Sequence, residues 1–259
     1  MPFSNEAEFL RVERNLFEYA YGSGINGKGE VRENANAMCF CSSLDIPAFN
    51  LAYLKTARPL RQDLEGIELF FRERGNPYTI WLPENGIVDC PALIERGLIH
   101  AMSLPAMIAD LEEMNPALPS PPGYRLRFVS QESDMDDFAD AAFSGYEMPE
   151  DIQGKFSEFI WNLDPSQHPH NELVVALKGA EPVASGLMFR GRDDLGLYWI
   201  SVVPHHRRQG LGSWLAQELL RVGREEGYRN AVLQSSPIAA GLYGRLGFRA
   251  VGNFQVYSH

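Results

Sequence analysis

From residue 123 onward the hydrophobic positions switch repeatedly between a period of two and a period near 3.6. Residues 125–129 read as a short strand. Met135, Phe138, Ala139 and Ala142 share one face of a helix predicted from its cap, Ser133, to Phe143. A second helix is predicted near 151–163. Residues 173–178 and 183–189 read as strands joined by Gly179-Ala-Glu-Pro182, a hairpin signal. After a turn at 190–194, the run 195–203 is apolar on both faces, as a central strand is. Leu211, Leu215, Leu219 and Val222 form one stripe on a helix predicted over 212–226. A strand at 231–234 and a short helix at 239–246, closed by Gly247, follow. Residues 248–258 read as two final strands that break near Gly252.

The first half carries a fainter copy of this order. A strand is predicted at 48–54, a helix at 60–74 ending at Gly75, and a strand at 78–82, with Phe70 and Trp81 expected in the core. Leu93-Ile-Glu-Arg-Gly-Leu98 resembles Tyr243-Gly-Arg-Leu-Gly-Phe248, about 150 residues later. Between the halves, Asn115-Pro-Ala-Leu-Pro-Ser-Pro-Pro-Gly123 has four prolines in nine residues and reads as a stiff linker. The expected domains are therefore 1–118 and 119–259. An unrelated α/β domain whose elements happen to alternate is the competing reading of the first half.

Composition narrows the function classes. The 259 residues carry a net charge of −11 and both halves are acidic, so a phosphate backbone is repelled and nucleic acid is not an expected partner. Cys39, Cys41 and Cys90 form no C-x-x-C pair, which argues against a disulfide framework or a zinc site, and no metal is expected. No apolar run approaches the ~18 residues of a membrane span, and Met1 to Glu8 is too polar for a signal peptide. A cytoplasmic protein without membrane contact is the expectation. The glycines of 21–29 lack a flanking strand and a Lys-Ser/Thr, so that stretch reads as a mobile loop and not a phosphate loop.

The informative segment is Val202-Val-Pro-His-His-Arg-Arg-Gln-Gly-Leu-Gly212. A buried strand ends, a proline stops the ladder, and a loop with glycine opens a long helix. The first helical turn offers unpaired N–H groups and the positive end of the dipole. Gly210 and Gly212 let an anion approach the backbone, and Arg207, Arg208 and two histidines surround this point. That chemistry suits a pyrophosphate. A Walker loop is excluded because Gly-Lys-Ser/Thr is missing, and Trp214-Leu215 stands where a Rossmann fingerprint needs its third glycine.

Arg207-x-x-Gly210-x-Gly212, followed by Leu242-Tyr243-x-Arg245-Leu246-Gly247-Phe248, resembles the GCN5-related N-acetyltransferase (GNAT) family over the whole of 123–259. The resemblance implies a mixed, largely antiparallel α/β sheet flanked by helices, here as two tandem domains. It implies acetyl-CoA as co-substrate and transfer of its acetyl group to an amine of a small molecule or peptide. By the resemblance, the backbone of Val202 and Val203 holds the pantetheine arm. The amides of Arg208, Gln209, Gly210, Leu211, Gly212 and Ser213, beside Arg207, take the pyrophosphate. Tyr243 stands where the family often keeps a tyrosine that protonates the leaving thiolate. The alternative is a CoA-binding module without turnover.

Two features depart from the family. Some members carry a glutamate base in the strand before the loop, and the matching position here is Gly196. Glu172 and His170 are the substitutes considered, and Asp193 and Asp194 read as turn residues. Glu147, Glu150 and Asp151, where the family shapes its acceptor pocket, would suit a cationic amine or cap a helix. In the first half the stretch Lys55 to Arg61 has no glycine, so that half is expected to be a degenerate copy without a cofactor loop. The acceptor and the oligomeric state are left open.

Overall fold

In the computed structural model, residues 6–25, 29–42, 44–56, 59–84, 90–114 and 118–259 are described. Parts of the glycine stretch (26–28), of Lys55–Arg61 (57 and 58) and of the proline stretch (115–117) lie outside them.

The first half runs α1 (Glu6–Ile25), β1 (Glu30–Glu33), β2 (Ala37–Cys41), β3 (Asn50–Leu54), α2 (Arg61–Arg74), β4 (Thr79–Pro83), α3 (Pro91–Ile94) and β5 (Ile99–Asp110). The second runs β6 (Tyr124–Phe128), α4 (Glu132–Gly145), α5 (Gln153–Trp161), β7 (Asn171–Lys178), β8 (Glu181–Arg190), β9 (Leu195–Val202), α6 (Leu211–Glu225), β10 (Asn230–Gln234), α7 (Ala240–Arg245) and β11 (Arg249–Ser258). All eleven strands join one sheet in the order β1-β2-β3-β4-β11-β5-β10-β9-β8-β7-β6. The hairpin read at Gly179-Ala180 is present, with Lys178 opposite Glu181 and Gly179 at φ 63°.

Most of the sheet is antiparallel. The two parallel pairs, β3 with β4 and β9 with β10, each flank a long helix, α2 or α6. Leu187 packs with α4 and α5 on one face, and its neighbour Met188 packs with α6 on the other. This is the period of two in a sheet covered on both sides. In the first half Met38 and Tyr53 face α1, while Cys39 and Leu54 face α2.

The halves are interleaved at the centre. β5 sits between β10 and β11, and β11 sits between β4 and β5. Ala106 to Asp110 of β5 bond to β10, and Phe254 to Tyr257 of β11 bond to β4. β5 and β11 run antiparallel along their length, with Pro105 opposite Asn253. The expected pair of final strands is thus a single strand, with a register shift between Ala250 and Gly252. A hairpin there would have folded back on itself, but β5 already supplies a partner for both parts of β11. The Phe9 ring lies against Gly252, where a Cβ would come within 2.7 Å of it.

Local differences from the sequence expectations have simple causes. Helix α4 starts at Glu132, and Ser133 lies inside its first turn instead of capping it. Buried Asp134 accepts from the Ser130 N–H at 3.1 Å and from its hydroxyl at 3.3 Å, so a carboxylate serves the helix start. Phe70 is core, but Trp81 is only partly buried and faces a cavity.

Candidate active site

The loop before α6 builds an anion cradle from backbone alone. Trp214 is the first residue of α6 whose N–H reaches a helical acceptor, the Gly210 carbonyl at 3.0 Å. Among the described residues the six preceding amides, Arg208 to Ser213, have no backbone acceptor. Gly210 has φ 82° and Arg208 φ 60°, both left-handed. Successive amides kinked in this way converge into a nest that binds anions. Arg208 holds a conformation that costs a non-glycine residue energy, a strain that sequence reading did not reveal.

The basic side chains divide their roles. Arg207 does not point at the nest. Its guanidinium donates to the Val202 carbonyl at 3.0 Å and the Gly145 carbonyl at 2.9 Å and pairs with Glu147 at 2.8 Å. It ties the loop to the end of β9 and of α4. His206 is buried and shares a hydrogen bond with the Tyr124 hydroxyl at 3.0 Å, and that hydroxyl donates to Gln209 Oε1 at 2.8 Å. Arg208 stays exposed at the rim.

Beside the nest the sheet opens. β9 and β10 are paired only at Leu195–Ala231 and Gly196–Val232, although β9 continues to Val202. The Val203 N–H donates to the Val183 carbonyl at 2.9 Å, so the backbone of Val202 faces the other way, into the opening. A bulge sets two residues of β9, Trp199 and Ile200, opposite Gly186 of β8, and Trp199 has φ 55°.

A chamber of about 430 Å³ adjoins the opening. The second half contributes Tyr146, Phe159, Tyr198, Trp199 and Tyr243, and the first half Tyr19, Phe40, Phe49 and Trp81. Tyr19 stacks on Tyr198 at 3.9 Å, Phe49 stacks on Trp199 at 5.6 Å, and the Trp199 Nε1–H donates to the Tyr19 hydroxyl at 2.6 Å. Among the described residues lining it there is no Asp, Glu, Lys, Arg or His. Tyr243 is buried on α7, and desolvation pushes its phenol above the ordinary value, so it remains a proton donor throughout the neutral range.

The other candidates lie elsewhere. Glu172 pairs with Arg190 at 2.7 Å and His170 bonds to the Arg190 carbonyl at 3.1 Å; neither lines the chamber. Glu147 is held by Arg207, and Glu150 and Asp151 lie in a short turn of helix outside the lining. Asp193 pairs with Arg14, whereas Asp194 is buried and paired with Arg11, so it anchors α1 as well as shaping the turn. Among the described residues no cluster of His, Cys, Asp and Glu could hold a metal. No helix among them is long and apolar enough to cross a membrane.

The model of the acetyltransferase (GNAT) family matches residues 134–248. The match lies within the second half of the chain. Among curated relatives, human N-acetyltransferase 8B is 39% identical over 84 residues, covering 31% of this chain and 36% of that protein. The Rattus norvegicus N-acetyltransferase 8B is 35% identical over 86 residues, covering 32% and 38%. The chain therefore spans little more than a third of the length of these relatives. The whole fold is similar to that of a GCN5-related N-acetyltransferase from Kribbella flavida, with TM-score 0.67, 17% identity and 95% of each chain covered. It is also similar to a tandem GNAT protein from the clavulanic acid biosynthesis pathway, with TM-score 0.56, 14% identity, and 86% and 78% covered. The GNAT match contains both the α6 nest and Tyr243.

Proposed function

We propose that the chain is an N-acetyltransferase that moves the acetyl group of acetyl-CoA to an amine, with its one working site in the second half. The observation that carries this reading is the alignment of three parts: the nest of Arg208 to Ser213, the opening between β9 and β10, and Tyr243 beside that opening. The nest would take the pyrophosphate, with Arg208 at its rim. Val202, whose backbone faces the opening, would hold the pantetheine arm and polarise the thioester carbonyl; Val203 would contribute less, since its amide is bonded to Val183. The amine nitrogen attacks the carbonyl carbon, the C–S bond breaks, and Tyr243 protonates the departing thiolate. The amine loses one proton and the thiol gains one, so the tyrosine is restored by the proton the amine gives up.

The reading of the first half as a degenerate copy draws support from element order. β1-β2-β3-α2-β4-α3-β5 follows the same sequence of types as β7-β8-β9-α6-β10-α7-β11. The likeness to a tandem GNAT protein points the same way. A cytoplasmic site of action belongs to this proposal too. Incubating the full chain with acetyl-CoA and a panel of amines, and following free thiol, tests it. Amine-dependent thiol release that Tyr243→Phe suppresses is expected. CoA binding with no thiol release for any amine would leave a binding module.

A further inference from the structure

We propose that the first half supplies the acceptor-recognition wall of the site, and that the acceptor is an amine on a flat aromatic body with no second charge. This deepens the acetyltransferase reading and rests on it.

The chamber is made by both halves. Phe40, Phe49 and Trp81 close it from the first half, and Tyr198, Trp199 and Tyr243 from the second. The lining rings offer faces and edges against which a flat aromatic guest can pack by offset stacking or edge-on contact. At about 430 Å³ the space lies toward the small end of the ~300–1,000 Å³ range of small-molecule pockets, suited to a compact one- or two-ring body. A charged group entering it would lose its water with no ionised partner among the described lining residues, which is strongly unfavourable. The acidic residues that could have welcomed a cation, Glu147 and Glu172, are held by Arg207 and Arg190 outside it.

The same surroundings explain how the site works with Gly196 at the family's base position. Burial without a carboxylate partner disfavours an ammonium ion, as it does a buried lysine, by as much as ~3–5 pH units. The chamber therefore selects the amine in its neutral, nucleophilic form, and the proton is lost to water on entry. Uncharged polar side chains are left for orientation, among them Gln234, Ser235 and Ser236. Such groups can hydrogen-bond a polar atom on the guest without pairing a charge.

A matched pair tests the proposal in the full chain with acetyl-CoA: benzylamine against 4-(aminomethyl)benzylamine, which adds only a second ammonium group, with spermidine and lysine as polar comparisons. The expected result is kcat/KM at least about tenfold higher for benzylamine, and a KM for benzylamine raised about tenfold or more in Phe49→Ala and Trp81→Ala with the KM for acetyl-CoA unchanged. Trp81→Phe, which keeps a ring, should restore most of the loss. Calorimetry of N-benzylacetamide with the CoA-loaded chain gives a second readout independent of turnover. Binding that Trp81→Ala weakens supports the chamber assignment even where no amine is acetylated, an outcome that would sink the enzyme reading alone. Spermidine or lysine turned over as well as benzylamine would overturn the aromatic acceptor while leaving the acetyltransferase intact. Neither turnover nor amide binding would overturn both.

Discussion

Asn15 of α1 occupies the space that a side chain on Gly196 would need. A Cβ on Gly196 would meet the Asn15 carboxamide and lie 2.5 Å from Tyr198 Cε2. Asn15 also accepts from the Tyr198 hydroxyl at 2.8 Å and donates to the Asp194 carbonyl at 2.8 Å. On the proposed reading, the first half has thus filled the space that a side chain at the family's base position would occupy. Gly196→Glu should therefore destabilise the protein, by about 1–3 kcal/mol for an overpacked core, and should not raise turnover. Urea unfolding and initial rates measure both. Gly196→Ala should be less harmful in an Asn15→Ala background than alone, because the two side chains compete for one space. A Gly196→Glu variant that folds normally and works faster would show that the site lacks a base and can use one.

Tyr243→Phe removes one hydroxyl from a buried ring that lines the chamber. Packing and CoA affinity should survive, and turnover should fall by ~10²–10⁴, the range of general-acid assistance. Because burial raises the phenol, no activity limb between pH 6 and 9 should trace to it. Comparing pH–rate profiles of the two proteins checks this. An alkaline limb that vanishes in Tyr243→Phe would show the phenol titrating in the working range.

The second half was legible because its elements alternate with clear periods and its chemistry sits in one short segment, Val202 to Gly212. The role of Arg207 was not legible, since reach decides whether a guanidinium faces an anion or the carbonyls of Val202 and Gly145. The exchange of β5 and β11 was hidden for a related reason. Gly252 marks a break in a strand, and whether the chain turns or runs on depends on β5, which is distant in sequence. The chamber was hidden most completely. Phe40, Trp81 and Trp199 are ordinary core residues by pattern, and only the opening of β9 from β10 makes them a wall.

The nest depends on backbone access at two glycines of different character. A Cβ at Gly212 would make ordinary contacts with Leu242 at 3.4 Å and Val202 at 3.6 Å. Gly212→Ala should therefore fold, and Gly212→Asp should fold but lose CoA affinity tenfold or more, since its carboxylate meets the pyrophosphate; a tenfold loss is about 1.4 kcal/mol. Gly210 faces open space but has φ 82°, so Gly210→Ala should cost about 1–2 kcal/mol through the backbone alone. Isothermal titration with CoA separates these cases. Equal affinity in Gly212→Asp and wild type would remove the pyrophosphate from this loop.

Stability should decline in alkali before any active-site group matters. Burial pushes the Cys39 thiol from its ordinary 9.0 up to about 12, and burial pushes the Tyr78 phenol from 10.0 up to about 12. In the unfolded chain both ionise earlier than in the folded one. Their contribution is complete below pH 9 and is lost as pH rises toward 12. The urea midpoint should fall steadily above pH 9, and Cys39→Ala should flatten the first part of that fall. A midpoint constant to pH 11 would contradict the burial of these two groups.

One CoA should bind per chain, at α6 and not at α2. The two helices stand at equivalent places in the element order, but their N-termini differ in chemistry. At α6 the cap is Gly210 and no acidic residue lies in the first turn. At α2 the third residue is Asp63, buried, whose carboxylate accepts from the Leu60 N–H at 3.0 Å and from the Asn36 amide at 3.1 Å. The positive end of that helix dipole is already met by a negative charge, which would repel a pyrophosphate. The neighbouring cavity, lined by Asp63, Arg32 and Cys39, holds only about 170 Å³. Without that carboxylate an exposed helix N-terminus would offer an anion roughly 0.3–1 kcal/mol, against the ~8 kcal/mol that micromolar binding needs. Titration of the full chain with CoA should give a stoichiometry near one, and Gly212→Asp should abolish the single transition. Two equivalent transitions, or one that survives Gly212→Asp and tightens when the α2 carboxylate is removed in Asp63→Asn, would place cofactor in the first half and reverse the division of labour between the halves.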